Sequence, residues 1–398
     1  MFPKLLSANT LYQRLQQPGD LLILDVRNSE AFQRARIETR HTPETLNIPY
    51  FEFIEDDTVE EALACVPAGR PIVVVCVHGG TSELVAAMLR KRGYQAANLA
   101  GGMEEWSRLH MVRPVLESDS AAIYQIERVA RGCLSYAIIS DGWGAIIDPS
   151  HHIAEYRRLL AAHGAAPRLI IDTHAHADHI SGGPALAEAT GAPYYLHPYD
   201  AIHPLDVMPA VIPYETLRNG HRFRLGSVTV RAVHAPGHTL GHVALLASTL
   251  EGECYLFSGD SLFLRGVGRP DLGGRAESWT RLSYESIFTT LRAMTPPDAL
   301  VLPGHYSDAG EADARGVFAA PFAELWRTNT ELSFATQEAL AHHVLANLPA
   351  APPEYAEIKR VNMGLAQADA QRALALEMGR NACALLSDYP ASVSLVPG

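Results

Sequence analysis

Short apolar runs rich in Val, Ile and Leu recur along most of the chain, each closed by Gly, Asp, Ser or His. Leu21-Leu-Ile-Leu-Asp-Val26 and Pro71-Ile-Val-Val-Val-Cys-Val77 are almost uninterrupted, as strands buried on both faces require. Residues 84–91 switch to helical spacing and stop at Gly93, a suitable helix terminator. This alternation predicts a small parallel-sheet α/β domain over residues 1–112. Residues 111–120 have mixed polarity, one proline and no period, and read as a linker. Beyond it, residues 123–126, 134–139 and 144–149 predict strands, 153–163 a helix, and 194–196, 227–233, 242–247 and 254–257 further strands. Two sheets covered by helices fit this order for residues 121–310. The remainder, 311–398, is alanine-rich, with helices expected at 336–347 and 366–378 and breaks at Pro349, Pro352 and Pro353. These helices are expected to pack on the preceding domain, as a wall of its pocket or as a homo-oligomer interface.

Composition narrows the class. The 398 residues, 47% apolar and 19% charged, can bury more than one core. A net charge of −12 argues against nucleic acid or an anionic membrane as the main partner. No apolar run approaches the ~20 residues of a membrane span, and the start lacks a secretory signal. The five cysteines are scattered without a CxxC pair, which points to a reducing compartment and a cytoplasmic protein.

Two stretches carry chemistry. The first is Cys76-Val-His-Gly-Gly-Thr-Ser82, between a strand and a helix. Gly79 and Gly80 allow the backbone N–H groups of the loop, with His78, Thr81 and Ser82, to face inward as an anion-binding nest. The following helix adds its positive end, favouring a thiolate at Cys76. The remaining cysteines lie in no such nest and read as buried or inert.

The second is Thr173-His-Ala-His-Ala-Asp-His179, leaving the apolar run before it. Neutral imidazoles and carboxylates crowded at a strand end make a metal site for zinc or iron. His238, in His234-Ala-Pro-Gly-His-Thr-Leu-Gly-His242, and the strand-end residues Asp260 and His305 add further donors. His151, His152, His163, His197, His203 and His221 fall outside these stretches and read as surface or capping residues.

Both halves resemble known families. Asp25-Val-Arg27, the Cys76 loop and Gly93-Tyr-Gln-Ala-Ala-Asn-Leu-Ala-Gly-Gly-Met-Glu-Glu-Trp106 resemble the signatures of rhodanese-type sulfurtransferases. The resemblance implies that Cys76 carries sulfane sulfur as a persulfide and that Asp25 and Arg27 are structural. Thr81 stands where many members carry arginine. The ordered histidine and aspartate motifs resemble the metallo-β-lactamase superfamily, an αβ/βα sandwich with metal at its strand ends. Within it, Asp260-Ser-Leu-Phe-Leu-Arg-Gly-Val-Gly-Arg-Pro-Asp-Leu272 is similar to persulfide (sulfur) dioxygenases.

That second resemblance implies one Fe(II) per chain on His174, His238 and Asp260. His176, Asp178, His179 and His305 would then orient ligands, whereas in a hydrolase they would complete a two-metal site, with zinc as the metal. Arg269 is expected to anchor a carboxylate of the thiol carrier, or else to pair with Asp271 at the surface; Tyr306 is a further candidate substrate contact. The implied function is oxidation of a small thiol persulfide by O2 to sulfite and thiol, with sulfur transfer involving thiosulfate or sulfite at Cys76. Two alternatives are a two-metal thioester hydrolase of the glyoxalase II type and a non-catalytic sulfur carrier or sensor.

Overall fold

In the computed structural model, which describes residues 2–383, five strands form the first sheet: β1 (Leu5–Leu6), β2 (Leu22–Asp25), β3 (Glu44–Asn47), β4 (Pro71–Val75) and β5 (Gln95–Leu99). Their spatial order is β1-β5-β4-β2-β3 and every pairing is parallel. The apolar runs are uninterrupted because both faces are covered. Ile23, Val73, Val75 and Leu99 pack with Leu11 and Trp106 on one side. Leu22, Leu24, Ile72 and Val74 pack with Val85 and Leu89 of the Gly80–Lys91 helix on the other.

Residues read as a linker form a strand instead. β6 (His110–Glu117) pairs antiparallel with β7 (Ala122–Arg128) at the edge of a second sheet. An edge strand has one solvent-facing row, so it tolerates Pro114, a bulge and mixed polarity, the features that mimic a connector. The first domain therefore runs straight into the second. Arg113 of β6 holds Glu127 of β7 at 2.6 Å and also bonds the Tyr12 hydroxyl of the first domain.

The second sheet continues with β8 (Cys133–Ser140), β9 (Trp143–Ile147), β10 (Ala166–Ile171), β11 (Tyr194–Leu196) and β12 (Glu215–Thr216), in sequential spatial order. A third sheet, again in sequential order, contains β13 (Arg222–Leu225), β14 (Val228–His234), β15 (Val243–Ser248), β16 (Cys254–Gly259), β17 (Leu300–Pro303) and β18 (Ala320–Pro321). The two sheets face each other as the expected αβ/βα sandwich. Leu134, Tyr136 and Ile138 of β8 meet Val230, Leu245 and Phe257 in the shared core. The alternate residues Ala137 and Ile139 meet Tyr156 and Leu160 of the Ile153–Ala162 helix. Thus every residue of β8 is buried. Among the described residues no helix is long and apolar enough to cross a membrane.

The tail departs from its reading in several elements: β18 and a helix, Phe322–Thr328, come before the first expected helix. The helix expected over 336–347 is Gln337–Asn347, with Thr336 as its N-cap, but a second helix, Glu354–Asn362, follows where three prolines suggested a break. Pro353 is its N-cap residue, so the prolines precede the helix rather than interrupt it. The expected helix over 366–378 is shorter, Ala370–Leu376. These last helices grip the loop after β10. Asn362 Nδ2 donates to the carbonyls of His176 (2.9 Å) and His179 (2.8 Å), and its Oδ1 accepts from Ser181 N. Glu377 accepts from Ile180 N at 2.5 Å.

Removing such a buried bridge leaves several backbone groups unpaired, at about 1–3 kcal/mol each. Asn362→Ala should therefore destabilise the fold by about 2–4 kcal/mol in denaturant titrations. It should also speed amide exchange at Ser181, and unchanged exchange there would remove Asn362 from the role of clamp.

Candidate metal centre and cysteine loop

Four strand ends converge on one buried point. β10 delivers the loop from Asp172 to His179, β14 leads to His238, β16 ends beside Asp260, and β17 leads to His305. β16 and β17 are parallel, with Gly259 opposite Pro303, so their C-terminal ends present Asp260 and His305 side by side. Asp200 ties two of the loops together. Its Oδ2 accepts from Ala175 N (2.8 Å) and Thr239 Oγ1 (2.6 Å), and its Oδ1 accepts from Gly241 N (2.7 Å).

His174, His238 and Asp260 come together as expected. Asp260 Oδ2 lies 3.4 Å from His238 Nε2 and 3.8 Å from His174 Nε2, and all three side chains are buried. None of these three atoms has a hydrogen-bond partner. Their rear atoms, by contrast, are held. Thr173 Oγ1 donates to Asp148 and accepts the Nδ1 proton of His174 (2.9 Å). His238 Nδ1 donates to the Arg269 carbonyl (2.9 Å), and His305 Nδ1 donates to Asp260 Oδ1 (2.7 Å). Each tautomer is thereby set, and a lone pair of every ligand atom points forward. Burial, together with neighbouring histidines, holds His174 well below the usual imidazole range. Burial also lowers His238, against the pull of Asp260. Two neutral imidazoles and a carboxylate, buried and unpaired, fit a divalent cation.

Of the other four donors, Asp178, His179 and His305 are bonded to one another. His305 Nε2 donates to Asp178 Oδ2 (2.8 Å), so His305 bridges Asp178 and Asp260 as an imidazolium. Burial opposes that charge, but the two carboxylates raise His305 well above its ordinary range. Asp178 also accepts from His179 Nδ1 (3.1 Å) and from the Cys133 thiol (3.2 Å). His176 turns away, its Nε2 lying 3.2 Å from Asp148 and 3.7 Å from Asp172. Those two carboxylates raise it well above its ordinary value despite burial.

Two expected substrate contacts are corrected. Arg269 is fully buried; it pairs with Asp271 at 2.7 Å and donates to the carbonyls of Ala382 (3.0 Å) and Pro349 (2.7 Å). With its donors engaged by the tail, it cannot reach a ligand carboxylate, and its pair with Asp271 is buried rather than superficial. The glycine-rich stretch around it serves the ligand shell. A Cβ at Gly268 would sit 1.8 Å from the Asp260 carbonyl, so only glycine brings the Arg269 carbonyl up to His238. Tyr306 is likewise buried, donating to Glu127 Oε1 (2.7 Å) and stacked on Phe318 against the first domain.

Several histidines read as superficial are not. His197 and His203 are buried, and His151 and His152 pack together, with His151 3.2 Å from Glu377. His163 caps its helix and is exposed.

At the N-terminal loop, Cys76 accepts hydrogen bonds from Gly79 N and Ser82 Oγ, both at 3.1 Å. Gly79 has φ 88°, the left-handed turn that aims its amide at the sulfur. Burial raises the thiol, but the Ser82 hydroxyl and the Ser82, Gly79 and His78 amides outweigh it and bring Cys76 below its ordinary value. His78 itself faces solvent and pairs with Glu104 (2.7 Å). Arg27 and Asp25 form a buried ion pair at 2.6 Å, the structural role expected of them.

Sequence reading missed the supporting groups. Asp200, Arg131, Asn362 and Glu377 hold the metal loop, Arg131 through the Asp178 carbonyl at 3.0 Å. Cys133 and Cys383 are buried, as expected, yet lie against Asp178 and against Asp260 and His305. None has a local motif, because each acts across a long chain separation.

The comparisons with known proteins agree with this architecture. Residues 7–109 match the rhodanese-like domain and residues 128–305 the metallo-beta-lactamase superfamily. An uncharacterized protein of Mycobacterium bovis is 31% identical over 180 residues, 40% of this chain and 79% of that protein. A hydroxyacylglutathione hydrolase of Methylococcus capsulatus is 33% identical over 206 residues, 49% of this chain and 72% of the enzyme. The crystal structure of a metallo-beta-lactamase from Staphylococcus aureus, at 24% identity, superposes with a TM-score of 0.55 over 62% of this chain and 73% of that one. With its strand-end donors and two-sheet sandwich, the chain belongs to the metallo-beta-lactamase superfamily and carries a rhodanese-like domain fused ahead of the metal-binding one.

Proposed function

We propose that this protein is a two-site sulfur enzyme. Its metal domain oxidises a small thiol persulfide: RSSH, O2 and water become RSH and sulfurous acid. Its N-terminal domain moves sulfane sulfur through Cys76, whose thiolate attacks thiosulfate, forms a cysteine persulfide and releases sulfite. The observation that carries the first assignment is the unequal state of the two donor sets. Three unpaired ligand atoms face one another at His174, His238 and Asp260, whereas Asp178, His179 and His305 are engaged in mutual hydrogen bonds. One metal is favoured by that asymmetry. Fe(II), which His174, His238 and Asp260 would hold, would supply the redox chemistry that joins O2 to a sulfur anion. The protein's own groups orient the ligands: the Arg269 carbonyl holds His238, Thr173 holds His174, and the His305 imidazolium keeps one oxygen of Asp260 turned forward.

A second reading has its own support. Asp178, His179 and His305 are all retained within ligand distance of one another, and the hydrolase relative is a third identical. Two zinc ions there, displacing the proton from His305 Nε2, would give a thioester hydrolase.

Metal analysis of anaerobically purified protein separates the two readings. About one iron per chain with O2 uptake on glutathione persulfide is expected. Two zinc ions per chain, thioester cleavage and no O2 uptake would replace the first reading with the second.

For the cysteine loop, Cys76→Ser should abolish sulfur transfer from thiosulfate while O2 uptake on a supplied persulfide persists, since distant sites act additively. Loss of both activities in a folded, metal-loaded variant would show the sites to be coupled. Alkylation of Cys76 should titrate below the ordinary thiol range, because the Ser82 and amide donors stabilise the thiolate. Ser82→Ala removes one donor and should move that midpoint upward; a downward or absent shift would count against the nest.

A further inference from the structure

One cavity opens beside the metal cluster. It measures about 180 Å³ and is floored by Ala175, which separates His174 from His176, and by Thr239, which follows His238. Trp279 and Leu240 give it apolar walls, and its two cations are Arg275 and Lys359. Arg275 is exposed at the rim. Lys359 is different: it projects from the Glu354–Asn362 helix of the tail and is only 4% exposed. Among the described residues its ammonium forms no hydrogen bond or ion pair. Asp200 shares the cavity wall, but both its oxygens are committed to Ala175, Thr239 and Gly241. Lys359 shares the cavity with Ala175 and Thr239, the chain neighbours of His174 and His238, which places it beside the loops that carry two metal ligands.

A buried ammonium without a partner is destabilising, so its retention beside a reactive centre calls for an anion that arrives later. The cavity is smaller than the ~300–1,000 Å³ of a pocket that encloses a whole ligand, and suits one end of a carrier. We propose that Lys359 is the anion-binding residue of the substrate site, pairing with the acidic end of a small thiol, a carboxylate or a phosphate, while its sulfur reaches the His174–His238–Asp260 cluster. This rests on the reading of that cluster as a sulfur-binding centre. It assigns to the tail helix the role that sequence had given to Arg269.

The test is binding without turnover, on iron-loaded full-length protein under anaerobic conditions. Calorimetric titration uses glutathione, which carries carboxylates, coenzyme A, which carries phosphates, and cysteamine, which carries no acid. The wild type should bind at least one of the acidic thiols, and whichever binds identifies the anion. Lys359→Met should weaken that binding tenfold or more and leave cysteamine unaffected. Equal affinities in the two proteins, or binding of neither acidic thiol by the wild type, overturn the proposal. A thermal scan adds a readout that a structural lysine would move the other way. Lys359→Met should raise the ligand-free midpoint by removing an unpaired buried charge, and should lose the stabilisation that the acidic thiol confers. A lowered midpoint would make Lys359 a structural residue and overturn the proposal. Because no oxygen chemistry is measured, a failed dioxygenase assay leaves these results standing.

Discussion

Three lone pairs buried without a partner are the constraint on which the metal domain depends. His174 Nε2, His238 Nε2 and Asp260 Oδ2 face one another inside the protein, each short of a hydrogen bond. Such groups cost about 1–3 kcal/mol apiece, more for a charge, and would rotate towards any available donor. They stay forward because their rear atoms are already bonded, to Thr173, to the Arg269 carbonyl and to His305. Those partners are held in turn: Thr173 by Asp148, His305 by Asp178, and the Asp178 backbone by Arg131. The centre is thus the innermost layer of a bonded shell, and the shell extends into the tail through Asn362 and Glu377.

On the proposed reading, the two domains solve related problems by different means. A sulfur anion needs positive potential around it. At Cys76 that potential comes from hydrogen-bond donors, the amides of a glycine turn and the Ser82 hydroxyl, on a loop at the surface of a small parallel sheet. In the metal domain the ligands are electron-rich, and the positive charge has to come from a cation. The first site is local in sequence and the second is assembled from four strand ends. The strand β6 joins them without a spacer, and Arg113, Glu127 and Tyr12 knit the junction.

Much of this was legible in the chain. The parallel sheet follows from apolar runs that leave no polar face, and two helix-covered sheets from the order of strands and helices. The cysteine nest follows from two glycines between a strand and a helix. Spacing marked the whole donor cluster as a metal site, and the resemblance to persulfide dioxygenases singled out His174, His238 and Asp260 within it.

What the sequence could not decide is where a long side chain goes once the chain is packed. Arg269 stands in a motif beside the metal aspartate, and as a sequence feature it is a free guanidinium. Its pairing with Asp271 was an alternative the chain itself offered, but only the tertiary structure brings the tail carbonyls of Ala382 and Pro349 onto it and buries it. The same holds for Pro353, which reads as a breaker until its helix is seen to start there, and for Lys359 and Asn362, which look like ordinary helix residues. Hydrophobic period and turn chemistry are set by neighbours in the chain, so sequence alone determines them. The partners that fix a side chain at the site often lie tens to hundreds of residues away, as for His305 with Asp260 and Asp178 and for Arg269 with Ala382, and only the packed fold brings them within reach.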